Sequence, residues 1–120
     1  MSTRRKIPVF ENIDMVNNNV YTFRTSTNYG LFLQLSWTGL IGDGKFKIQG
    51  SVDGVIYSDY PLNDCGVCVY EKEIIGATDN VGFMITNWYA DYFRVVYTNN
   101  TATGGNLLGY LTIINNQDVK

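Results

Sequence analysis

Leu31, Leu33, Leu35 and Trp37 recur at every second position across residues 30–37, with Phe32, Gln34 and Ser36 between them. A period of two belongs to an extended strand that buries one face. Residues 45–52 repeat the pattern more sharply. Phe46, Ile48, Gly50 and Val52 fall on the side expected to meet the core, while Lys45, Lys47, Gln49 and Ser51 fall on the side expected to meet water. The intervening segment 38–44, TGLIGDG, carries three glycines and predicts a tight hairpin. Asp53-Gly54 predicts a second short turn, after which a strand resumes over 55–60 and stops at Pro61.

Further strands are expected over 20–25, 67–75, 80–86, 92–98 and 107–114, separated by stretches rich in Asn, Asp, Gly and Thr. In 92–98, Phe93, Val95 and Tyr97 share one face. Arg94 falls on the other, where it is expected to stack on a tyrosine or pair with a carboxylate such as Asp91. About eight short strands with glycine-rich turns and no helical period predict an all-β fold. The expected architecture is an antiparallel two-sheet β-sandwich, jelly-roll or discoidin-like, over residues 17–120.

Residues 1–16 show no strong period and precede the polar run Asn17-Asn18-Asn19. They read as an N-terminal arm. Ile7, Val9, Phe10, Ile13 and Met15 make it more apolar than a disordered tail, so it is expected to order on a neighbouring subunit or, alternatively, as an edge strand on its own domain. On the arm reading, a chain lacking 1–16 still folds. Arg4, Arg5, Lys6, Val9 and Phe10 are its candidate interaction residues.

Composition narrows the function. The 120 residues suit one domain, which buries roughly 65% of its unfolded surface. Net charge is -2, so the chain lacks the basic balance that phosphate-backbone binding requires, and nucleic acid is an unexpected partner. No stretch approaches the roughly 18 apolar residues of a membrane-spanning helix, and the basic N-terminus lacks a signal peptide's apolar segment. Synthesis in a cytoplasm is expected.

Histidine is absent, which removes the Ser-His-Asp and Cys-His arrangements and makes most hydrolase mechanisms hard to build. The acidic residues fall at turns, strand edges or solvated faces, so paired-carboxylate catalysis is not expected either. Cys65 and Cys68 form CGVC, the spacing of a metal knuckle or redox dithiol, but no second pair completes a zinc set. They read as reduced thiols in a loop, with a local disulfide the alternative. Asp43-Gly44 and Asp53-Gly54 lack the spaced acidic series of a calcium loop and read as turn chemistry. No cofactor is expected. Tyr57, Tyr60, Trp88 and Tyr89 lie in or near turns and are the candidate ligand or interface aromatics.

Two runs, FKIQGSVDGVIYSDY and YFRVVYTNNTATGGNLLGYLTI, resemble a theme of small phage structural proteins. In it a core strand enters a Ser-x-Asp-Gly turn, followed by an aromatic strand, a tyrosine-arginine strand and a glycine-separated last strand. Gln49, Gly50, Ser51, Asp53, Gly54 and Tyr57 match the first part. Tyr92 to Val95, Tyr97, Thr98, Gly104, Gly105 and Leu107 to Leu111 match the second. The resemblance implies an accessory virion protein, of capsid decoration or head-fibre type. Its implied partners are the major capsid protein, other virion proteins and further copies of itself. Similar patterns occur in sugar-binding sandwich domains, so the alternative is a carbohydrate-binding adhesion module that holds surface glycans through the same aromatics.

Overall fold

The computed structural model describes residues 3–25, 29–64, 66–88 and 90–115. Every regular element among them is a strand. They run β1 (Thr3–Asp14), β2 (Asn19–Arg24), β3 (Tyr29–Ile41), β4 (Gly44–Ser51), β5 (Ser58–Tyr60), β6 (Leu62–Asp64), β7 (Val67–Val69), β8 (Lys72–Ile74), β9 (Asp79–Trp88), β10 (Tyr92–Asn99) and β11 (Gly104–Asn115). One sheet has the order β1-β11-β3-β9 and the other β2-β10-β4-β5, with β8 also laddered to β4. All pairings are antiparallel, and β6 and β7 form a separate ribbon. Apart from β5 and β8, which share one edge in succession, strands of the two sheets alternate along the chain. This is the strand order of a jelly roll, in which two sheets face each other over one core.

The inward rows are those that the alternation marks as far as Ile48, beyond which Gln49 and Ser51, expected to meet water, are buried instead. Leu31, Leu33, Leu35 and Trp37 meet Phe46 and Ile48 from β4 and Phe93, Val95 and Tyr97 from β10, all buried. Leu107, Leu111 and Ile113 complete the wall from β11. Two polar tips inside it find backbone acceptors. Trp37 Nε1 donates to the Gly76 carbonyl at 3.0 Å, and Tyr97 Oη donates to the Met15 carbonyl at 2.7 Å. Burial first, then the charges of Asp43 and Asp14, raises the Tyr97 ionisation above its ordinary value, which keeps the hydroxyl a donor.

Three sequence-based expectations are corrected here. Residues 3–14 are not an arm: β1 ladders along β11 from Thr3↔Asn115 to Asp14↔Asn106, and Val9, Phe10 and Met15 are buried in the core. The edge-strand alternative holds for them, and Pro8, which has no N–H to donate, is tolerated because the strand is an edge. Segment 38–44 is not a hairpin. β3 continues to Ile41 in one sheet and β4 starts at Gly44 in the other, so only Gly42 and Asp43 span the crossing. Gly42 has φ +96, and a Cβ there would strike the Thr101 carbonyl oxygen. The Asp43 carbonyl accepts from Asn100 N and Thr101 N, and its carboxylate accepts from the Thr101 hydroxyl. The crossing is thus fixed by the loop before β11. Finally, 67–75 is two strands, because 67–69 pairs with β6 and 72–74 with β4.

Candidate contact site at the 52–57 loop

β4 ends at Ser51 and the chain returns as β5, pairing Gly50 with Ser58 and Ile48 with Tyr60. The six residues between them are held by a compact set of bonds. The buried Ser51 hydroxyl accepts from Gly54 N at 2.9 Å and donates to Asp53 Oδ1 at 2.9 Å. Asp53 Oδ1 also accepts from Val55 N at 2.8 Å and Ile56 N at 3.0 Å. This is the local side-chain-to-backbone bonding that makes Asp a turn residue. Gly54 has φ +77 and sits against the Tyr92 ring, where an added Cβ would lie 2.9 Å from it.

The same bonds set the loop's acid response. Backbone N–H groups of Ile56 and Val55, followed by the Ser51 hydroxyl, hold the Asp53 carboxyl below its ordinary value. The folded loop therefore binds this proton more weakly than the unfolded chain. Its contribution is complete above about pH 4 and is lost as pH falls through the folded value. The amide resonances of Val55 and Ile56 are expected to titrate with a midpoint below 3.8. That titration should vanish in Asp53→Asn, and a midpoint at or above 3.8 would discard these bonds as its cause.

The loop presents an apolar surface. Val52, Val55 and Ile56 are 76%, 80% and 73% exposed. Val52 therefore lies outside the core row in which the alternation places it, because the strand has ended one residue earlier. A groove of about 530 Å³ opens beside the loop, lined by Val52, Ile56, Tyr60, Trp88 and Ala90, with Asp53 and Asp59 at its polar side.

The outer face of the second sheet joins this site through one chain of contacts. The Arg94 guanidinium lies 3.6 Å from the Tyr57 ring centroid and donates through Nε and Nη2 to Gln49 Oε1 at 2.8 and 2.6 Å. Gln49 Nε2 donates to Asp59 Oδ1 at 2.8 Å, and Lys47 Nζ is 3.4 Å from the same oxygen. The Gln49 bond, with the Lys47 charge adding to it, lowers the Asp59 carboxyl against the opposing effect of desolvation. Arg94 thus takes the tyrosine stack expected of it, with an amide in place of Asp91.

The other candidate residues fall elsewhere. Trp88 is 1% exposed, held between Tyr60 at 5.0 Å and Phe93 at 5.5 Å, so its faces are closed to a sugar ring. Its Nε1 is buried without a hydrogen-bond partner among the described residues. Tyr57 and Tyr60 are half-buried. Lys6 sits 4.1 Å over the Tyr110 ring, while Val9 and Phe10 belong to the core. Arg4 and Arg5 lie on β1 opposite Ile114 and Ile113. Tyr89 and Cys65 lie outside the described residues, and Cys68 is exposed. The aliphatic trio of the loop was not singled out in the sequence. Its signal was present as three branched apolar residues around a Ser-x-Asp-Gly turn.

No protein family and no curated protein matches the chain by sequence. Solved structures match it in fold. The SPBc2 prophage-derived protein YomS superposes with a TM-score of 0.64 at 10% identity over 96% of each chain. The Tobacco streak virus coat protein gives 0.50 at 17% identity, over 95% of this chain and 84% of that one. An infectious bursal disease virus structure gives 0.50 at 9% identity, over all of this chain and 34% of its own. The likeness is one of fold, and prophage and viral coat proteins are among those that share it.

Proposed function

We propose that this chain is a non-enzymatic structural component of a phage virion, an auxiliary capsid protein that grips the major capsid protein or another virion protein through its 52–57 loop. The observation that carries this reading is the loop itself, which holds three aliphatic side chains in water by a fixed set of hydrogen bonds. Clustered apolar exposure marks contact surfaces. A loop already ordered also loses little conformational freedom on binding, so more of the burial appears as affinity. The fold shared with YomS over nearly the whole of both chains supports the phage setting. With β1 inside the domain, the docking role expected of residues 1–16 passes to this loop.

The test is co-sedimentation of the purified protein with capsids that lack it. Val55→Asp with Ile56→Asp is expected to weaken binding at least about tenfold, the effect of about 1.4 kcal/mol. Its melting temperature should stay close to the parent's, because both side chains are exposed. Undiminished binding rejects the loop, and no binding by the parent rejects the capsid role. In that last case, retention on a glycan array would favour the adhesion alternative through Tyr57 and Tyr60.

A further inference from the structure

A sheet edge exposes unpaired N–H and C=O groups and invites another strand, so proteins shorten, bend or charge their edges. Three of the four edges here are defended. β1 carries Arg4, Arg5, Lys6, Glu11 and Pro8, two register shifts, and Asn12 at φ +59. β2 has six residues and ends in Arg24. The edge beside β4 is divided between β5 and β8, three residues each. β9 is the exception. It has ten residues, DNVGFMITNW, with no proline, lysine or arginine and a single charge at Asp79. Among the described residues it ladders only with β3. Its register is unbroken from Trp37↔Asp79 to Leu31↔Ile85. On its outer side Met84 is 60% exposed.

We infer that β9 is the seam for a second copy of this chain, the two β9 strands pairing antiparallel about a two-fold axis to fuse two four-stranded sheets into one of eight. The occupant follows from what the pairing leaves behind. Joining β9 to β9 consumes both undefended edges, and the fused sheet is then bounded at both ends by β1, the most heavily defended edge. Association therefore closes at two, as a two-fold contact requires. A different partner strand would cover β9 equally well but would bring an edge of its own.

The register follows from the pleat. Opposed residues must share a face, so the axis runs midway between two copies of one residue, which face each other across it. Gly82 is the middle of the unbroken stretch Asp79–Ile85. Centring there sets Val81 against Phe83 of the other copy on the inner face, twice, a β-branched–aromatic pairing of the kind that stabilises sheets. On the outer face Met84 meets Asn80 of the other copy. The two Asp79 residues end about 20 Å apart, counted at about 3.4 Å per residue, and beyond the range of strong repulsion. This inference goes beyond the capsid reading, since it concerns the pure protein.

Light scattering on the full chain is expected to give twice the 13.6 kDa monomer mass. Asn80→Lys with Met84→Lys places two like-charged pairs across the seam on exposed positions and should raise the dimer dissociation constant about tenfold while leaving circular dichroism unchanged. Asn80→Glu with Met84→Lys converts both pairs to opposite charges and should restore the dimer. A monomeric parent overturns the proposal. So does a dimer indifferent to the lysine pair, or one that the charge swap fails to rescue. Because particles are not used, these results are independent of the co-sedimentation test.

Discussion

A chain that begins at residue 17 is expected to be unfolded. Removing β1 strips Val9, Phe10 and Met15 from the core, and burial of side chains of this size contributes about 1.5–3 kcal/mol each. The loss of the three, roughly 5–9 kcal/mol, is comparable with the roughly 5–15 kcal/mol that holds a domain together. Two further costs follow. β11, central in its sheet, becomes an edge with Leu107 and Leu111 uncovered, and the Tyr97 hydroxyl loses the Met15 carbonyl that satisfies it inside the core. Far-UV circular dichroism with a thermal melt checks this. A cooperative melt from the truncated chain would return residues 1–16 to the role of a separable arm. Phe10→Ala asks the same question more finely and should cost about 3–5 kcal/mol.

Trp88→Ala and Trp88→Phe are expected to part company. The alanine variant empties the space between Tyr60 and Phe93 and should cost about 3–5 kcal/mol. The phenylalanine variant keeps much of the ring while removing an indole N–H that is buried and has no partner among the described residues, a group whose desolvation costs about 1–3 kcal/mol. That gain offsets the lost volume, so its stability should fall within about 1 kcal/mol of the parent's. Urea unfolding of the three proteins measures both differences. Equal damage from the two substitutions would mean that the indole nitrogen has a partner.

The strands were legible where the alternation is uninterrupted. Leu31 to Trp37 and Phe46 to Ile48 announce their inward faces because nothing shifts the register along them. β1 resembles an arm in sequence for the opposite reason. Register shifts between Pro8 and Phe10 and between Phe10 and Ile13 break the parity, so neighbours Val9 and Phe10 are both buried and no period of two survives. At Gly42-Asp43 the local residues suit a hairpin and a crossing equally. The decision is made by Thr101, 58 positions away, which no local window contains. Of the candidate site, the Ser-x-Asp-Gly turn and Arg94's tyrosine stack were visible, since both rest on residue types with strong geometric preferences. The exposed trio was not, because a reading by alternation carries Val52 one step past the end of its strand. Exposed branched residues and a buried strand's residues are the same letters.

The order β1-β11-β3-β9 also governs when the molecule can exist. β11 lies between β1 and β3, so two of the longest strands have no shared neighbour until the last of the described strands has been made. Its ladder to β1 joins Thr3 to Asn115, a closure across nearly the whole chain whose entropy is lost before any contact repays it. A nascent chain stopped short of residue 104 therefore carries β1 and β3 with open sides and hydrophobic faces. The first sheet is thus joined up only once β11 is in place.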